Sequence, residues 1–82
     1  NNRLTKLNLD GNELTNVKGL NNLTHLKIIH LDFNNLTDIS DLKKFTKLEE
    51  LWLKDNPALT KAQIDELQKA LPNCRITSNP TK

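Results

Sequence analysis

Residues 26 to 36 read LKIIHLDFNNL, and the same pattern stands at residues 4 to 14 as LTKLNLDGNEL and at residues 48 to 58 as LEELWLKDNPA. Each copy begins 22 residues after the one before it. Asn12, Asn34 and Asn56 share a phase, as do Leu7, Ile29 and Leu51, and then Leu9, Leu31 and Leu53. Behind them, Leu14, Val17, Leu20 and Leu23 are matched one period later by Leu36, Ile39, Leu42 and Phe45. Self-similarity at a fixed lag is the mark of stacked units, each unable to bury its apolar face alone. A rival reading is an amphipathic helix through Leu42, Phe45, Leu48 and Trp52, which also fall at helical spacing. Helical phase leaves unexplained both the recurring asparagine and the polar residues between the leucines of the first copy.

A fourth, partial copy is read at LPNCRITSN from Leu71, with Cys74 and Ile76 in leucine slots and Asn79 in the asparagine slot. Leu71 falls 23 residues after Leu48, and the extra residue is placed in NPALT, where Leu59 arrives one position late. Behind the third copy, TKAQIDELQKAL opens with Thr60 and has Gln63 three residues on, a capping box. Ile64, Leu67 and Leu71 then share one face, so the spacing predicts a helix from Lys61 to about Ala70, ended by Pro72 and Asn73. The corresponding segments TNVKGLNNL and TDISDLKKF are too short and too rich in Asn, Gly and Ser for more than 3₁₀ turns.

The run Leu-x-x-Leu-x-Leu-x-x-Asn-x-Leu, present from Leu4 to Leu14 and from Leu26 to Leu36, resembles the motif of the leucine-rich repeat family. The short period and the LTDISDL type of back segment look like the 22-residue class found in internalins and phosphatase-regulatory subunits. The resemblance covers essentially the whole chain and implies an α/β fold. That fold is a right-handed solenoid with a short parallel sheet on its concave face, 3₁₀ turns on its convex face and one C-terminal helix. We expect one segment over residues 1–82, divided into repeats 4–25, 26–47 and 48–70 and a partial terminal repeat 71–80. Asn1 stands where Leu23 and Phe45 call for an apolar residue, and no capping segment precedes Leu4, which suggests a fragment of a longer array.

Where each strand leaves the sheet, backbone amides and carbonyls lose their partners, and a side-chain amide can donate and accept there at once. Asn12, Asn34, Asn56 and Asn79 are therefore expected to form a structural asparagine ladder, as the family resemblance also implies. Cys74 fills a leucine slot and is expected to be buried and inert.

Composition narrows the function. A chain of 82 residues has room for one domain. Its net charge of +2, with both signs interspersed, offers no surface for nucleic acid or an acidic membrane. The single Cys74 cannot close an internal disulfide, which leans weakly toward a cytoplasmic or bacterial setting. The start NNRLTKLNLD has no signal-peptide core, and no apolar run approaches the ~18 residues of a membrane span. The sequons Asn22-Leu23-Thr24 and Asn35-Leu36-Thr37 each contain a leucine the repeat requires for packing, so we read them as accidental in an asparagine-rich chain.

With Leu51 and Leu53 inward, alternation turns Trp52 outward, onto the face that the resemblance makes concave. The same register gives the rows Lys6, Ile28 and Glu50; Asn8, His30, Trp52 and Arg75; Asp10, Asp32, Lys54 and Thr77. Phe33, flanked by Gly11 and Asp55, lies just outside. Ile28, His30, Phe33 and Trp52 then form an outward apolar cluster of the kind that marks an interaction surface, and Trp is the residue most enriched at binding hot spots. The alternative is that Trp52 and His30 merely stack and shield the sheet. Asp10, Asp32 and His30 admit a cation site or an acid–base pair, but Lys54 and Lys6 share the face and an open sheet excludes no water. His25 is read as solvated. The expectation is a non-catalytic protein-binding module without metal or cofactor, a monomer or part of a longer chain. Trp52 anchors the partner beside His30, Ile28, Phe33 and Asn8, and Lys54, Asp32, Asp10, Glu50 and Lys6 set its orientation by charge. The runner-up is an architectural C-terminal cap of a longer array with no ligand of its own.

Overall fold

A Leu-x-Leu run is too short to hold a strand by itself, and its amides and carbonyls need neighbours on both sides. Parallel stacking at the 22-residue period supplies them. In the computed structural model, which describes residues 4–80, β1 (Lys6–Asn8), β2 (Ile28–His30), β3 (Glu50–Trp52) and β4 (Arg75–Thr77) form one parallel sheet in chain order. Lys6 pairs with Ile28 and Ile28 with Glu50, while Asn8 pairs with His30 and His30 with Trp52. Asn1, discussed above for its apolar phase, lies outside the described residues.

Alternation sorts the side chains as the pattern requires. Ile29, Leu31, Leu51 and Leu53 are buried, and Leu36, Ile39, Leu42, Phe45 and Leu59 close the core from behind. The back segments are 3₁₀ turns at Lys18–Leu20 and Ser40–Lys44, entered where Asn16 Oδ1 accepts the Lys18 N–H and Asp38 Oδ1 accepts the Ser40 N–H. The strand at Glu50–Trp52 and the turn at Ser40–Lys44 exclude the rival helix through Leu42 and Trp52.

The third back segment is the helix α1 (Lys61–Ala70), with the limits its capping signals predict. Thr60 Oγ1 accepts the Gln63 N–H at 3.2 Å, and Gln63 Oε1 accepts the Thr60 N–H at 2.9 Å. Gln63 Nε2 also donates to Thr37 O at 3.0 Å, tying the start of the helix to the preceding coil. Lys43 and Glu66 meet at 2.6 Å across the same seam, but Glu66 is largely exposed, so the pair adds little.

The four asparagines do not behave alike. Asn34 Nδ2 donates to Leu9 O and Leu31 O at 3.0 Å, and its Oδ1 accepts the N–H groups of Asn12 at 2.9 Å and Leu14 at 3.0 Å. Asn56 repeats the pattern one coil later, donating to Leu31 O and Leu53 O and accepting the Leu36 N–H. Both are buried, and each reaches back to the coil before it. Asn12 is exposed, with a 3.4 Å bond to Asp10 O. Asn79 is exposed as well and exchanges bonds with Asp55, its Oδ1 accepting the Asp55 N–H at 2.7 Å.

Asn79 departs from the expected ladder because the fourth strand is displaced. Arg75 pairs with Glu50, Ile76 with Leu51 and Thr77 with Trp52, an offset of 25 residues rather than 23. The two added residues lie in the turn after α1, where Cys74 N–H donates to Leu71 O and Gln68 Nε2 donates to the carbonyls of Leu71 and Cys74. A helix ending at Ala70 must reverse through Pro72 and Asn73 before a strand can start. Cys74 is buried as expected, but it precedes the strand, and Ile76 takes the slot of Leu51. Asn79 therefore arrives two residues early, and Arg75 and Thr77 each move one row from where the sequence put them.

Candidate functional site

The outward strand positions carry the side chains singled out by the sequence. Two rows cross all four strands: Lys6, Ile28, Glu50 and Arg75, then Asn8, His30, Trp52 and Thr77. Trp52 faces outward and stacks on His30, with ring centroids 5.4 Å apart and planes 7° from parallel. Ile28, His30 and Trp52 are half-buried rather than open, because neighbours at strand spacing cover much of each side chain.

Phe33 is the exception, with 63% of its surface exposed. Its backbone is left-handed at φ 60°, the conformation that Gly11 adopts at φ 70° and Asp55 at φ 59° in the flanking coils. The turn demands that conformation in every coil, and a bulky residue there is disfavoured by roughly 1–2 kcal/mol. Phe33 N–H donates to Lys54 O at 2.9 Å and the next residue is the buried Asn34, so the ring projects from a fixed base. The sequence marks Phe33 only as apolar; its backbone becomes legible when Gly11 at the same phase is read as a requirement for positive φ.

Asp10 and Asp32 are committed to the fold. Asp10 Oδ1 accepts the Asp32 N–H and Asp32 Oδ1 accepts the Lys54 N–H, both at 2.8 Å. Each carboxylate thus joins its own coil to the next, with its second oxygen left for a partner. Among the described residues no three His, Cys, Asp or Glu side chains gather as a metal site would need. The residues that spacing alone places wrongly are Thr77, beside Trp52, and Arg75, beside Glu50. They add a hydroxyl next to the indole and a cation to the row of Ile28.

Cys74 lies behind this face, and its thiol pKa is pushed up to about 11 by burial and, secondarily, by the Glu50 carboxylate. A thiol held protonated is a poor nucleophile, so it acts as a packing group. Among the described residues no helix is long and apolar enough to cross a membrane.

The family model described as "Leucine Rich repeats (2 copies)" matches residues 2–44 and again 30–69, most of the chain. The chain belongs to the leucine-rich repeat family. Its members typically serve as non-enzymatic protein-interaction modules, whose stacked units form extended concave surfaces. No curated protein matches the chain.

Proposed function

We propose that the chain recognises another protein through the outward strand face, with Trp52 as the anchor and His30, Ile28 and Phe33 around it. The observation that carries this reading is Phe33, an exposed aromatic in a left-handed turn where Gly11 avoids the conformational cost. Strain retained at an exposed position is a common companion of function. Asn8 and Thr77 flank the indole row, while Lys6, Glu50 and Lys54 and the free oxygens of Asp10 and Asp32 offer charge that sets a partner's orientation. The face is shallow and open, which suits an extended surface contact better than enclosure of a small molecule.

The test is affinity capture with the immobilised chain, its Trp52→Ala and Phe33→Ala variants, and an Asp65→Ala control on the exposed side of α1. A partner held by the parent and the control but lost tenfold or more by both aromatic variants supports the reading. Retention by the aromatic variants, or equal loss in the control, contradicts it.

A second reading, that the chain closes the C-terminal side of a longer repeat array, is favoured by the difference between its two ends. Leu67 of α1 and Leu71 are buried against the core at one end, whereas Leu7, Leu9, Leu14, Leu20 and Leu23 are only half-buried at the other.

A further inference from the structure

Residues at one repeat phase have the same chemistry, so a difference in their burial reports what covers each coil. Leu4 is 38% exposed while Leu26 at the same phase is fully buried. Leu9, Leu14 and Leu20 are half-buried, and their counterparts Leu31, Leu36 and Leu42 have no exposure. On this end of the stack an open depression of about 450 Å³ is lined by Leu9, Asn12, Leu14, Val17, Gly19 and Leu20.

The polar groups at that end have a direction. Asn34 and Asn56 each bond to the carbonyl and amides of the coil before them, and Asn12 is the same side chain at the same phase, exposed and reaching no earlier coil among the described residues. The Asp32 and Lys54 N–H groups are each taken by an aspartate of the previous coil, whereas the Asp10 N–H is taken by its own Asn8 Oδ1 at 3.0 Å, a local stand-in. An apolar cover of any shape would bury the leucines. Only a coil that presents a carbonyl and amides at the phase of Leu9 O, Asn12 N–H and Leu14 N–H would also satisfy Asn12.

We infer that the first-coil face is a docking surface for another leucine-rich coil of the 22-residue period, stacked in parallel on β1 and engaged by the Asn12 side chain. This inference rests on the architectural reading and is independent of what the strand face binds. The C-terminal end of a second copy does not fit, because its last strand runs at an offset of 25 and its asparagine is diverted to Asp55.

The test keeps the full chain and inserts a duplicate of residues 4–25 immediately before Leu4, so that the period is preserved. A second chain carries an insert of the same length and composition in scrambled order. Amide hydrogen exchange is followed at Leu7, Leu9 and Leu14, and urea midpoints are compared with and without Asn12→Ala. In that variant the original Asn12 is changed and the inserted copy is left intact.

The expected result is exchange slowed at least tenfold by the in-phase insert and not by the scrambled one. Asn12→Ala should leave the midpoint of the unextended chain unchanged and lower that of the extended chain. Protection by the in-phase insert with an indifferent Asn12 overturns the inference but leaves the architectural reading standing. Absence of protection overturns both, and so does a concentration-dependent dimer of the unextended chain that Leu20→Lys abolishes, because the face then belongs to a second copy.

Discussion

At the scale of single residues, identical letters at identical phase carry different loads. Asn34 and Asn56 each hold groups of two coils, and removing one strands several buried carbonyls and amides at roughly 1–3 kcal/mol apiece. Asn34→Ala is therefore expected to destabilise the chain by about 2–4 kcal/mol, whereas Asn12→Ala and Asn79→Ala, at exposed positions, should each stay within about 0.5 kcal/mol; urea midpoints order the three. Spacing alone treats the four asparagines as equals, because it shows recurrence but not which coil each side chain addresses. Phe33 poses the opposite problem, since its letter suggests contact and its backbone reveals cost. Phe33→Gly should raise stability by about 0.5–1 kcal/mol by relieving the left-handed backbone, net of the added freedom of glycine in the unfolded chain. Phe33→Ala keeps the strain and should bring no such gain. A glycine variant no more stable than the alanine one would mean that the turn carries no strain.

At the scale of elements, what was legible depended on how rigidly the chain length was fixed. The helix could be bounded to the residue because Thr60 and Gln63 form a reciprocal cap and Pro72 forbids continuation. The first three strands were legible because every turn between them is closed within 22 residues. The fourth was read out of register because the reversal after α1 is set by turn geometry, and a periodic pattern contains no measure of how many residues such a reversal uses. The same turn buries Cys74, and the pKa of about 11 gives the element a pH signature. In the unfolded chain the thiol ionises near pH 8.5. Below that pH both states keep the proton and the stabilisation is complete. Between pH 8.5 and 11 the unfolded state loses its proton first, so stability falls as pH rises, by on the order of 2–3 kcal/mol. Denaturation midpoints of the parent chain should drop across this range more steeply than those of Cys74→Ala. Parallel slopes would show that the folded thiol ionises freely.

At the scale of the whole molecule, alternation along three-residue strands divides the chain between two tasks. Side chains at the phases of Leu7 and Leu9 point inward and hold the stack, while those at the phases of Lys6 and Asn8 point outward, so a surface can vary without disturbing the core. This division was readable from sequence, because a lag of 22 with alternating burial admits few other architectures. How far each outward group is covered was not readable, since that depends on neighbours packed at strand spacing. The most direct measurement compares Leu53→Ala with Trp52→Ala, adjacent residues on opposite sides of one strand, by urea titration followed by circular dichroism. Leu53→Ala should lose about 2–5 kcal/mol as a filled core position is emptied. Trp52→Ala should lose no more than the ~0.2–1 kcal/mol of its cross-strand stack with His30. Equal losses in the two variants would contradict the account, because the indole would then be supporting the fold instead of facing a partner.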